Sequence, residues 1–134
     1  MSPQEAEALI NKYSMRPHEE GGYYCEIWRK PAEDKKPCSL SHIYYLLMAG
    51  ESARWHRVTS DEIWLFHQGA PLTISLGGNG ERPQETSTAI IIGRDVFHCL
   101  IPGGTWQKAE AKEGAVLVSC VVSPGFDVKN WEMI

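Results

Sequence analysis

After Pro17 every apolar segment of this chain is short, rich in β-branched or aromatic residues, and closed by glycine or proline. That pattern belongs to strands and leaves no second helical period anywhere downstream. The segments run over 23–29, 39–48, 53–58, 62–67, 72–76, 85–92, 96–101, 105–109 and 115–122. Gly77-Gly78-Asn79-Gly80 reads as a tight hairpin, while Gly50, Gly69-Ala70-Pro71, Pro102-Gly103-Gly104 and Gly114 mark other reversals. Strands joined this closely must pair antiparallel, because a parallel crossover needs a dozen or more residues. Closure into a barrel or jelly roll would remove most of the exposed edges. The fold class is therefore all-β.

One helix precedes the strands. Ser2-Pro3-Gln4-Glu5 has the form of a capping box with proline at the first helical position, and Ala6, Leu9, Ile10 and Tyr13 follow at helical spacing. The expected organisation is one domain over 1–134, with a helix over 2–14 and a β-barrel over 20–127. A chain of 134 residues is long enough for one core, and at 43% hydrophobic and 22% charged it has an ordinary globular composition.

A formal charge of -4 offers no basic footprint for nucleic acid, since Arg29-Lys30 and Lys35-Lys36 sit beside Glu26, Glu33 and Asp34. The apolar runs 43–49 and 115–122 are too short to cross a bilayer as helices, and Met1-Ser2-Pro3-Gln4-Glu5 does not read as a signal peptide. A cytoplasmic location is expected, with no membrane partner. Cys25, Cys38, Cys99 and Cys120 form no CxxC pair and are expected to be free thiols. Cys120 lies in an apolar run, where cysteine packs as a small hydrophobe.

The chemistry concentrates between Gly50 and Gly69. There the chain reads Gly50, five residues, His56-Arg57-Val58, three residues, Glu62, six residues, Gly69. On a strand His56 and Val58 share a face, and a turn at Thr59-Ser60-Asp61 brings Glu62 to that face on the next strand. A second cluster, Pro102-Gly103-Gly104-Thr105-Trp106-Gln107, follows.

These two stretches resemble the two cupin motifs, Gly-x5-His-x-His-x3,4-Glu-x6-Gly and Pro-x-Gly-x2-His. Val58 stands where the first motif has its second histidine, and Gln107 where the second motif has its own. His18-Glu19-Glu20-Gly21-Gly22-Tyr23-Tyr24, Ile43-Tyr44-Tyr45-Leu46-Leu47 and Ser123-Pro124-Gly125-Phe126-Asp127 extend the likeness to the cupin_5 subfamily, a domain of unknown function. The resemblance implies a double-stranded β-helix, or jelly-roll barrel, assembled as a homodimer. Its architectural relatives are the sugar-nucleotide epimerases of the deoxythymidine-diphosphate-rhamnose pathway, the plant germins and the auxin-binding proteins. The surplus of aromatic residues before Gly50 agrees with a dimer.

Metallo-cupins present three histidines and one glutamate to a divalent ion. Here His56, Glu62 and Gln107 remain, a weaker donor set for Mn, Fe or Zn. Without metal, His56 and Glu62 make an acid–base couple suited to enolisation or epimerisation of a small polar or carbohydrate-like molecule, with Gln107 orienting the ligand. The resemblance to epimerase-like cupins implies a tyrosine acid in the same mouth. Tyr24, Tyr44 and Tyr45 are the available phenols; Tyr24 is assigned as the acid and Tyr44 as a ligand contact. Trp64 and Phe66 share the parity of Glu62 and are expected to line the pocket wall below it. His67 has the opposite parity and is expected to face the other layer, and His18, His42 and His98 lie outside either motif. A non-catalytic binding module using the same pocket is the alternative. A purely structural role would leave an inward Glu62 without purpose.

Overall fold

The computed structural model describes residues 1–31, 33, 38–85 and 88–134. Asp34, the Lys35-Lys36 pair and residues 86–87 of the strand expected over 85–92 lie outside them. Helix α1 (Pro3–Lys12) starts as its sequence dictates: Ser2 Oγ accepts the main-chain N–H of Glu5 at 3.1 Å. The strands are β1 (Arg16–Pro17), β2 (Tyr23–Arg29), β3 (Ser41–Leu47), β4 (Ser52–Val58), β5 (Asp61–Gly69), β6 (Leu72–Leu76), β7 (Ala89–Ile92), β8 (His98–Ile101), β9 (Gln107–Glu110), β10 (Val116–Ser123) and β11 (Trp131–Met133).

They form two antiparallel sheets, a six-stranded one in the order β1-β2-β3-β10-β5-β8 and a five-stranded one in the order β11-β4-β9-β6-β7. Consecutive strands β4 and β5 fall in different sheets, as do β9 and β10, so the chain winds back and forth between the layers. This is the jelly-roll arrangement expected from the sequence. Some details differ, among them the two-residue β1 before residue 20. β6 and β7 are joined by a long connection in place of a tight hairpin, and in its described part Gly78 is the glycine in the left-handed region. The C-terminal segment also continues past 127 through a single 3-10 turn (Val128–Asn130) into β11, which pairs with β4.

Side-chain parity places the core. Inward residues of both sheets, among them Leu47, Trp64, Leu72, Ile74, Ile92 and Val118, interlock between the layers. Leu46 and Leu117 point to the opposite face of the six-stranded sheet, where Ala6 of α1 covers them together with Met15. Ile74 is fully buried at the centre of the inner cluster. Ile74→Ala is expected to cost about 2–5 kcal/mol, the usual range for emptying a well-packed aliphatic site. Urea denaturation against the parent chain measures it.

Candidate active site

A cavity of about 480 Å³ opens between the sheets. Its inner wall comes from His56 on β4, Glu62 and Trp64 on β5, and Cys120 on β10, with Val58 beside them at the position of the missing second histidine. Glu20, buried beside His56, joins that wall from the segment before β2, and the mouth is framed by His18 from the same segment, Tyr24 and Arg29 on β2, and Phe126 and Asp127 from the C-terminal segment.

His56 is buried, with each ring nitrogen in a defined setting. Nδ1 lies 2.6 Å from the carbonyl oxygen of Arg54, which can only accept, so Nδ1 carries a proton. Nε2 is left as the exchanging atom and lies 3.3 Å from Glu20 Oε2. The carboxylate in contact with His56 is therefore that of Glu20. Glu62, the partner expected from the motif, acts on His56 through its charge.

Glu62 is held by a chain of buried donors. Trp64 Nε1 donates to Gln107 Oε1 at 2.8 Å, and Gln107 Nε2 donates to Glu62 Oε1 at 2.8 Å. An indole can only donate, so the amide oxygen of Gln107 must face Trp64 and its nitrogen must face the carboxylate. Gln107, expected to contact the ligand, is fully buried and does not line the cavity, because both ends of its amide are taken by Trp64 and Glu62.

Glu20 reaches the site through a close backbone approach. Its carbonyl accepts from Arg54 N at 2.8 Å, and its side chain accepts from Trp131 Nε1 at 2.9 Å. Gly21 and Gly22 follow with φ +113° and +73°. A β-carbon on Gly21 would stand 2.1 Å from Ser52 O, and one on Gly22 would stand 2.7 Å from Leu46 O. Only glycine lets the chain pass here. The His18-Glu19-Glu20-Gly21-Gly22 run thus carried the signal for Glu20, as a turn that must approach β3 and β4 closely, although neither cupin motif contains it.

His18 also belongs to the site. It lines the mouth, packs edge-on against Tyr24 with ring centroids 4.8 Å apart, and accepts the Glu20 main-chain N–H at Nδ1. The structure thus brings together His56, Glu62, Trp64, Tyr24 and Tyr45 from the residues considered in the sequence and adds Glu20 and His18. It does not bring in Tyr44 or Phe66. Tyr44 has the outward parity of β3 and packs edge-on against Tyr13 of the N-terminal segment. Phe66 points inward but packs against Gly93 and Phe97 without lining the cavity. His67 lies on the outer face, where its Nε2 meets Ser119 Oγ at 2.6 Å, and does not face the second sheet.

Burial dominates the electrostatics of the cavity. It pushes Glu20 and Glu62 above the usual carboxylate range, an effect that His18 chiefly opposes at Glu20 and His56 chiefly opposes at Glu62. It pushes His56 and His18 below the usual imidazole range, opposed by Glu62 at His56 and by Glu20 at His18. Burial and the nearby carboxylates raise the Cys120 thiol, so a thiolate nucleophile is disfavoured. Tyr45 is raised by burial, and its hydroxyl donates to Gly21 O.

The residues do not fit the divalent ion that the family pattern offers. Val58 has no donor atom, the carbonyl oxygen of Gln107 is taken by Trp64, and its amide nitrogen faces Glu62. Among the described residues no group of three or more His, Cys, Asp or Glu side chains converges in a geometry that could hold a metal.

The family model described as Cupin superfamily (DUF985) matches residues 7–134. The chain belongs to the cupin superfamily. This cupin is similar to protein SO0799 from Shewanella oneidensis, with 34% identity, a TM-score of 0.84, and coverage of 96% of this chain and 84% of that one. It is 25% identical over 149 residues to the uncharacterized protein YML079W of Saccharomyces cerevisiae, covering 96% of this chain and 74% of that one. It also matches oxalate decarboxylase from Bacillus subtilis at 17% identity and a TM-score of 0.67, over 91% of this chain and 31% of that one. That last likeness is one of fold.

Because the Glu62 carboxyl holds its proton more tightly folded than unfolded, it favours the folded state below its ordinary value near 4.5. That contribution is lost as pH rises through the raised value. Glu62→Gln is therefore expected to gain thermal stability over the parent as pH climbs from about 4.5 toward 8, by about 1.4 kcal/mol for every tenfold loss of acidity that burial imposes on the carboxyl. The difference should vanish near pH 4. Melting curves across that range read it directly.

Proposed function

We propose that this cupin binds a small polar, carbohydrate-like molecule in its barrel and acts on it as an epimerase or isomerase by proton transfer. The observation that carries this reading is the tautomer of His56. With Nδ1 committed to Arg54 O, Nε2 is the one ring atom free to take a proton, and it faces the cavity beside Glu20. In such a reaction Nε2 removes a proton from carbon next to a carbonyl, and the enolate recovers a proton at carbon or at oxygen. Glu20 then stabilises the imidazolium. Tyr24, which lines the mouth, is proposed as the phenol that returns a proton. Tyr45 is less suited, because its hydroxyl is already given to Gly21 O. A cavity of about 480 Å³ falls within the range of small-molecule sites. The four free cysteines agree with a cytoplasmic setting.

The test is solvent-deuterium incorporation, followed by mass spectrometry, into a panel of aldoses, ketoses, amino sugars and sugar nucleotides incubated with the protein. Exchange into a panel member is expected, and His56→Gln should slow it by about 100- to 10,000-fold, the usual share of a general base. Exchange that is unchanged in His56→Gln would reject the assignment. Tight binding with no exchange would make the barrel a binding module.

The working unit is proposed to be a homodimer joined through the outer face of the six-stranded sheet. Ile63 and Leu100 stand opposite each other on β5 and β8 and, with Leu65, remain 39%, 57% and 37% exposed. Adjacent exposed aliphatic side chains of this kind mark association surfaces. Light scattering at micromolar concentration should give twice the mass of the chain. A monomer mass would contradict the dimer.

A further inference from the structure

The ionisable groups lining the cavity do not have equal freedom to change charge. His18 accepts the Glu20 main-chain N–H at Nδ1, at 3.1 Å, so forming its imidazolium would sacrifice that bond. His56 keeps a proton on Nδ1 and can gain a second one at Nε2. One imidazole can therefore become positive, while two buried carboxyls, Glu20 and Glu62, can each become negative. The inner end ranges from about one positive to two negative charges, and neither limit includes a fixed cation.

The mouth leans the same way. Among the described residues lining the cavity, Arg29 is the one permanent cation, and it is committed: its Nε donates to Glu26 Oε2 at 3.1 Å and its Nη1 to Phe126 O at 3.0 Å. Asp127 faces the same opening, with Lys129 Nζ 3.6 Å away. Tyr24, Tyr45, Trp64 and Phe126 supply aromatic rings to the lining, and ring faces attract cations. A carboxylate or phosphate entering this space would lose its hydration and find, among the described lining residues, only a guanidinium already shared with Glu26 and Phe126 O. A protonated amine would find two carboxyls able to ionise in response.

We infer that the part of the ligand that enters the barrel carries a protonated amine on a polar, hydroxylated body, the chemistry of an amino sugar, and that analogues bearing carboxylate or phosphate at that position are excluded. This inference rests on the small-molecule reading proposed above and narrows it to a charge class.

Three compounds on one sugar frame separate the two statements: glucosamine, glucose and glucuronate, titrated calorimetrically into the full chain at pH 7. Glucosamine is expected to bind at least about tenfold more tightly than glucose, and glucuronate more weakly than either. In Glu62→Gln the ratio of glucosamine to glucose affinity should fall severalfold, and an unchanged ratio would count against the charge preference. Glucose or glucuronate binding as tightly as glucosamine would overturn the charge preference and leave the small-molecule reading standing. Binding by none of the three would count against the carbohydrate reading itself, and the charge inference would fall with it.

Discussion

Two carboxylic acids and an imidazole are withdrawn from water at one end of this barrel, and the surrounding structure is arranged to make that tolerable. Burying such groups unpaired would cost several kcal/mol each. The donors that prevent it come from the five-stranded sheet: Gln107 on β9 reaches across to Glu62 on β5, and Trp131 on β11 reaches Glu20 in the segment before β2. His56 on β4 meets Glu20 from the five-stranded side. The polar contacts therefore stitch the two sheets together where the cavity opens, while aliphatic packing around Leu72, Ile74 and Ile92 joins them through the interior. The Arg54 carbonyl fixes the tautomer of His56, and Trp64 fixes the orientation of Gln107.

Much of this was legible in the sequence, for identifiable reasons. Short β-branched runs between glycines can only be strands, and two strands joined by the turn at 59–61 bring His56 and Glu62 into one cavity. Sequence parity gives the face of a strand but not the depth along it, which is why Phe66 points inward yet packs on Gly93 and Phe97 without reaching the cavity. Parity is also silent where two tyrosines are adjacent. The pairing of β3 with β10 turns Tyr45 inward and Tyr44 toward the helix. Glu20 was out of reach of both motifs because its position depends on a turn crossing two strands, a tertiary approach visible in sequence only as Gly21-Gly22. A longer connection between β6 and β7 stands where a tight hairpin was expected, because glycines permit a tight turn without imposing one.

The departures from the cupin metal pattern gain a physical meaning in this setting. Valine at 58 leaves an apolar patch where a ligand atom would sit, and glutamine at 107 turns its amide toward Trp64 and Glu62. The chain brings one imidazole and two carboxyls together here, with Glu20 supplying a carboxyl from outside the motifs. An imidazole lowered by burial and carboxyls raised by it draw toward one another, the condition under which a proton passes readily between them.

The central claim concerns where the protons sit, and a titration followed by nuclear magnetic resonance of the His56 ring nitrogens and the Glu20 and Glu62 carboxyl carbons measures this directly. The account predicts that Nδ1 stays protonated throughout, that Nε2 alone gains and loses a proton, and that both carboxyls titrate above the ordinary carboxylate range. A neutral His56 protonated at Nε2, with carboxyls titrating as they do in water, would contradict it.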